Sequence, residues 1–192
     1  MQHLIGKTLL LLLVLPSLVL AHTGAGEATG FIYGFNHPIG GVDHLLAMIA
    51  VGLWAVQMGG RSLWVVPSTF VAVMLLGGVL GFSGVSVPFI EEGILVSILI
   101  FGVLIAGAFR FPLLYSSIIV GFFALLHGHA HGAEMPVALG AGSYAIGFAL
   151  ATAILHVTGM GIGGLMQKAN LQTATRFAGG VVALSGLYLA FI

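Results

Sequence analysis

The chain has 192 residues, 59% of them hydrophobic and only 5% charged, and its five basic and five acidic side chains balance. Soluble globular domains carry about a quarter charged residues, so a soluble class is excluded. Five scattered basic residues leave no footprint for nucleic acid. With no cysteine, any metal must rest on imidazole, carboxylate, backbone or thioether groups.

The amino terminus reads as a cleavable signal peptide over residues 1–21. Lys7 supplies the charged region, Thr8 to Val14 the apolar run, and Val19-Leu20-Ala21 a small-residue cleavage site after Pro16. An uncleaved first helix is the alternative, but it would be short and broken by Pro16. Residues 22–192 then form a single domain whose mature end is His22. Apolar runs predict six transmembrane helices near 39–58, 62–82, 91–109, 111–130, 136–158 and 174–192. The expected class is therefore an all-α, polytopic membrane bundle.

Turn signals separate the runs: Gly59-Gly60-Arg61-Ser62, Gly84 to Pro88, Arg110 with Pro112, Gly132 to Pro136, and the polar stretch Gln167 to Thr175. The third connection is short, so the helices it joins should be antiparallel neighbours. If a signal peptide delivers His22 to the outside, loops one, three and five face the cytoplasm. Those loops hold Arg61, Arg110, Lys168 and Arg176, while Glu27, Asp43, Glu91, Glu92 and Glu134 fall on the outer side. This distribution obeys the positive-inside rule and places the protein in a bacterial inner membrane with its mature amino terminus in the periplasm. Gly77, Gly78, Gly81, Gly159, Gly161, Gly163, Gly164, Gly179, Gly180 and Gly186 are expected at close helix contacts. A hinge at Gly159 to Gly164 is the competing reading.

Seven metal-ligating groups fall in two short windows, HPIGGVDHLLAM at His37–Met48 and LHGHAHGAEMP at Leu126–Pro136. Ionisable groups near a bilayer centre cost about 3 kcal/mol or more each, so such clusters are ordinarily functional. Pro38 suits a first helical turn, with His37 at its mouth. His37, His44 and Met48 then share one face at spacings of seven and four. Asp43 either ligates from the adjacent stripe or hydrogen-bonds a ligating imidazole. The structural reading is an interfacial His37, a neutralised Asp43–His44 pair and a packed Met48.

In the second window, a continuous helix would put His127, His131 and Glu134 on one face and turn His129 elsewhere. A chain opened at Gly128 and Gly132 would instead let all three imidazoles converge. The structural reading is a solvated histidine-rich loop, against which stands the apolar run Gly121 to Leu126. His22, at a processed terminus, could chelate with its amine and imidazole, or be an ordinary solvated end. His156 reads either as part of an inner exit path or as a packed polar residue.

HPIGGVDHLLAM resembles the H-P-x-x-G-x-D-H-x-x-x-M signature of the HupE/UreJ family of hydrogenase and urease accessory membrane proteins. FALLHGHAHGAEMP resembles that family's second signature, and the likeness runs from the signal peptide through the last helix. The H-x5-D-H element also resembles the H-x4-D-H motif of nickel/cobalt transporters, with one extra residue. The resemblance implies a secondary permease for nickel or cobalt, with His37, Asp43, His44, Met48, His127, His129, His131 and Glu134 as the motif residues.

The expected function is import of a divalent transition metal through a His/Asp-lined periplasmic site, with nickel or cobalt first and zinc or copper also suited to imidazole. No enzyme activity is expected. The partners are the metal ion and the lipid bilayer, with a homo-oligomer left open. The site should weaken in acid, since histidines ligate only when neutral. One rival is a membrane-embedded hydrolase using a metal-bound water, another a metal-sensing accessory protein without flux. A serine protease built on Gly81-Phe82-Ser83-Gly84 would need a histidine near Ser83.

Overall fold

The computed structural model describes residues 30–135 and 140–191, which leaves the signal-peptide segment, His22, Glu27 and Pro136 outside the described residues. Among the described residues the chain is all-helical, with seven helices: α1 Gly30–Gly40, α2 Val42–Met58, α3 Ser62–Phe82, α4 Ile90–Ala106, α5 Leu113–Glu134, α6 Ala141–Lys168 and α7 Gln172–Leu189.

The helices are apolar on all sides because both the core and the lipid must be faced by hydrocarbon. Phe70, Phe101, Trp54 and Met48 point inward, while Leu76, Leu114, Ile146, Leu165, Phe177 and Leu184 are exposed. By length and composition α3, α5 and α6 can each cross a membrane, and the pair α1–α2 counts as a fourth span if read as one bent helix. This is a helical membrane protein. Helix α4 has 17 residues, about 26 Å at 1.5 Å per residue, somewhat short of a 30 Å hydrocarbon core.

Several boundaries differ from the sequence reading. The first span is two helices, bent by 81° at Gly41, and Pro38 lies near the end of α1 rather than in a first turn. Pro38 has no N–H to offer the Gly34 carbonyl, which weakens α1 just ahead of the bend. Helix α5 continues to Glu134 and α6 to Lys168, so Gly159 to Gly164 lie inside one continuous helix.

Glycine sets which helices touch. Gly77 and Gly81 of α3 lie on the Leu125 and His129 carbonyls of α5, and Gly128 and Gly132 of α5 lie on Met74 and Gly78 of α3, so these two helices run parallel with their backbones in contact. Gly52 on α2 meets the His156 carbonyl of α6, and Gly159 on α6 meets Ile49. Gly102, Gly179 and Gly186 lock α4 against an antiparallel α7. Close approach of this kind brings Cα–H groups onto carbonyl oxygens, which stands in for the hydrophobic drive that lipid removes. Gly161, Gly164 and Gly180, expected at contacts, face open space instead. Helices α4 and α5 are antiparallel neighbours, with Leu126 against Gly93.

This topology gives the bundle two unlike ends. At one, α2, α4 and α6 finish and α3, α5 and α7 begin. Trp54 Nε1 donates to the Phe109 carbonyl at 3.0 Å, Gln57 Nε2 to Ile105 at 3.0 Å and Arg176 Nε to Ala106 at 2.8 Å. These side chains bond to carbonyls of the last turn of α4 and of the Phe109 segment just beyond it, and Arg176 also complements the helix dipole. Arg61, Arg110 and Lys168 belong to the same end. At the other end, α1 and α5 finish, α2 and α6 begin, and the histidines gather.

Candidate metal centre

Three short pieces of helix build the site. The last turn of α1 carries His37, the first turn of α2 carries Asp43 and His44, and the last two turns of α5 carry His127, His131 and Glu134. His37 and His44 do not share one helix face as their spacing suggested. The bend at Gly41 folds them toward each other, with ring centroids 6.2 Å apart. A Cβ at Gly41 would press on Asp43 Oδ1 and His44 Nδ1 at 2.8 Å, so a larger residue there would displace that pair.

His131 is the hub. Its ring lies 4.6 Å from that of His37 and 4.4 Å from that of His44, and it is only 3% exposed. One ligand atom from each of His37, His131 and Glu134 lies within 4.8 Å of the others. His37 Nε2 stands 3.6 Å from Glu134 Oε2. His127 lies deeper, its ring 5.7 Å from that of His44. His37, His131 and Glu134 thus form the compact group, with His44 packed on His131 and His127 behind His44.

Hydrogen bonds assign the tautomers. Asp43 Oδ1 accepts from His44 Nδ1–H at 2.6 Å, and the Phe123 carbonyl accepts from His127 Nδ1–H at 2.9 Å. In neutral rings this leaves the Nε2 lone pairs of both histidines unengaged, and both atoms are buried without a hydrogen-bond partner. Both nitrogens of His131 are equally unpartnered. Buried polar atoms normally find partners, so a cluster of open nitrogens is suited to a cation. The Asp43–His44 pair reproduces the carboxylate–histidine arrangement that orients and strengthens an imidazole ligand. Asp43→Asn should therefore weaken nickel or cobalt binding by roughly 10- to 100-fold while leaving the helices intact, as read by calorimetric titration.

Of the two arrangements open to the second window, the continuous helix is the one present. His129 accordingly turns away, its Nε2–H donating to the Val85 carbonyl at 2.6 Å in the α3–α4 connection. Met48 is fully buried in the core. Neither joins the cluster through a described contact, and His22 is outside the described residues.

The sequence reading missed the aromatic wall. The Phe148 ring lies 4.3 Å from that of His131, tilted by 45°, Tyr144 lies 6.3 Å from His37, and Phe70 lies 5.5 Å from His127. Isolated aromatics in so apolar a chain carry no signal of their own. Ser83 is exposed and gives its hydroxyl to the Val79 carbonyl at 2.6 Å, while His127 is held by Phe123, so no described contact links a nucleophile to a base.

The family described as HupE / UreJ protein matches this chain over residues 10–189. A curated relative, Protein HupE of Rhizobium leguminosarum bv. viciae, is 46% identical over 182 residues, covering 95% of each chain. No solved structure matches the chain.

Proposed function

The chain belongs to the HupE/UreJ family, and from that premise we propose that it is a secondary permease importing a divalent transition metal, nickel or cobalt first. The observation that carries this reading is the convergence of His37, His44 and His131 from three helices at one end of a membrane bundle, with His44 Nε2 and both nitrogens of His131 buried and unpartnered. Neutral imidazoles with one or two carboxylates suit nickel, cobalt, zinc and copper better than calcium or magnesium. In this reading His37, Asp43, His44, His127, His131 and Glu134 strip the entering ion of water. Met48 packs in the core and His129 bonds to Val85, while His22, proposed as a further ligand at the processed terminus, lies outside the described residues.

The proposed topology has a cleaved signal peptide, six spans including α4 and α7, and the histidine end in the periplasm. Arg61, Arg110, Lys168 and Arg176 then lie in the cytoplasm, in keeping with the positive-inside rule. The membrane potential suffices as a drive. At 100 mV it contributes about 4.6 kcal/mol for a divalent ion, which supports roughly a thousandfold accumulation.

Proteoliposomes containing only this protein, with an inside-negative potential, provide the test. Nickel or cobalt should accumulate, and acidifying the outer face should abolish uptake by protonating the imidazoles. Tight binding without flux would overturn the permease and favour a metal-sensing accessory protein. Hydrolysis of a peptide or ester would favour the metal-dependent hydrolase.

A further inference from the structure

His156 lies midway along α6, 1% exposed, and neither ring nitrogen has a hydrogen-bond partner. A buried structural histidine is ordinarily pinned by at least one bond, as His127 is by Phe123 and His129 by Val85. His156 has none of these. Its ring meets that of Phe70 at 5.1 Å, edge to face, and the same phenyl ring meets His127 at 5.5 Å. One phenyl ring is therefore packed against both histidines.

The other groups nearby are neutral donors. Thr152, one turn before His156 on α6, gives its hydroxyl to the thioether of Met74 at 3.6 Å, and both residues are buried. Met74 itself lies one turn from Phe70 on α3. Imidazole nitrogen with thioether and hydroxyl suits a borderline or soft divalent ion better than magnesium or calcium, which need several oxygen ligands.

We propose that His156, with the Thr152 hydroxyl and Met74 thioether as its neighbouring donors, forms a second cation station inside the bundle, separated from His127 and the mouth cluster by Phe70. The histidines then make a descending series: His131 to His44 at 4.4 Å, His44 to His127 at 5.7 Å, and on past Phe70 to His156. Occupancy of the station by metal is independent of the permease reading. Passage of the ion through it rests on that reading.

Cobalt spectroscopy of the full chain in detergent separates the two. The sequence contains no cysteine, so His156→Cys introduces its sole thiol, and a thiolate bound to cobalt gives a charge-transfer band that imidazole and carboxylate do not. The band should appear on cobalt addition to His156→Cys, and Met74→Leu in that background should raise the half-saturating cobalt concentration at least tenfold. Absence of the band at cobalt concentrations that saturate the mouth cluster overturns the station. In proteoliposomes His156→Gln should lower flux at least tenfold while the mouth cluster's cobalt spectrum is unchanged. Full flux in that variant overturns passage through His156. If the wild-type protein carries no flux at all, the permease reading fails, and the His156→Cys spectrum still decides the station.

Discussion

His131→Gln should bind nickel and cobalt at least about 100-fold more weakly than the wild-type chain and carry no measurable flux. The expectation follows from the hub position of His131, whose ring is nearest neighbour to both His37 and His44 and whose two nitrogens are open. Loss of a group that only orients a ligand costs 10- to 100-fold, so loss of a central ligand should cost no less. Glutamine keeps much of the volume and a polar end, which matters because His131 is almost fully buried against Phe148. His131→Ala should lose the same binding and, in addition, roughly 2–3 kcal/mol of stability from the cavity it leaves. Calorimetry for binding and thermal unfolding in detergent for stability keep the two losses apart. Binding within threefold of wild type in the glutamine variant would remove His131 from the site.

Gly128→Val should give a chain that does not fold into a stable bundle. Even the Cβ of alanine at this position would run into the Met74 carbonyl of α3, and neither backbone can turn aside as a side chain could. Overpacking ordinarily costs about 1–3 kcal/mol and more where the obstacle is rigid. Gly128 also lies between His127 and His131, so forcing α5 away from α3 displaces both imidazoles. Gly161→Ala and Gly180→Ala are the matched controls, because nothing lies within 4 Å of either position. Both are helical, so alanine should be neutral or stabilise by up to about 1 kcal/mol. Equal unfolding temperatures for Gly128→Val and wild type would refute the close α3–α5 contact.

The sequence and the structure divide the candidate site unevenly. Both histidine windows stood out because an ionisable group in an apolar run is costly and therefore rare. Spacing was a poorer guide to how they meet. His37 and His44 looked like one helix face, whereas a bend at Gly41 joins them across two helices. His127, His129 and His131 could have converged or diverged, and the persistence of α5 through Gly128 and Gly132 separated His129 from the others. Those glycines looked like breakers but are held helical by contact with α3. The sequence placed the end of a span at residue 158, whereas α6 continues to Lys168, so His156 lies in mid-helix and is buried.

Composition, charge and the two motifs were enough to determine a helical membrane protein of the HupE/UreJ family. Those properties are local or additive along the chain: hydropathy sets spans, and residue type sets what can ligate. Only the tertiary structure decided which histidines share a volume, which nitrogens are left open and which glycines lie at contacts. Those outcomes depend on helix ends, bends and crossings, and these are fixed by backbone contacts between residues far apart in the chain.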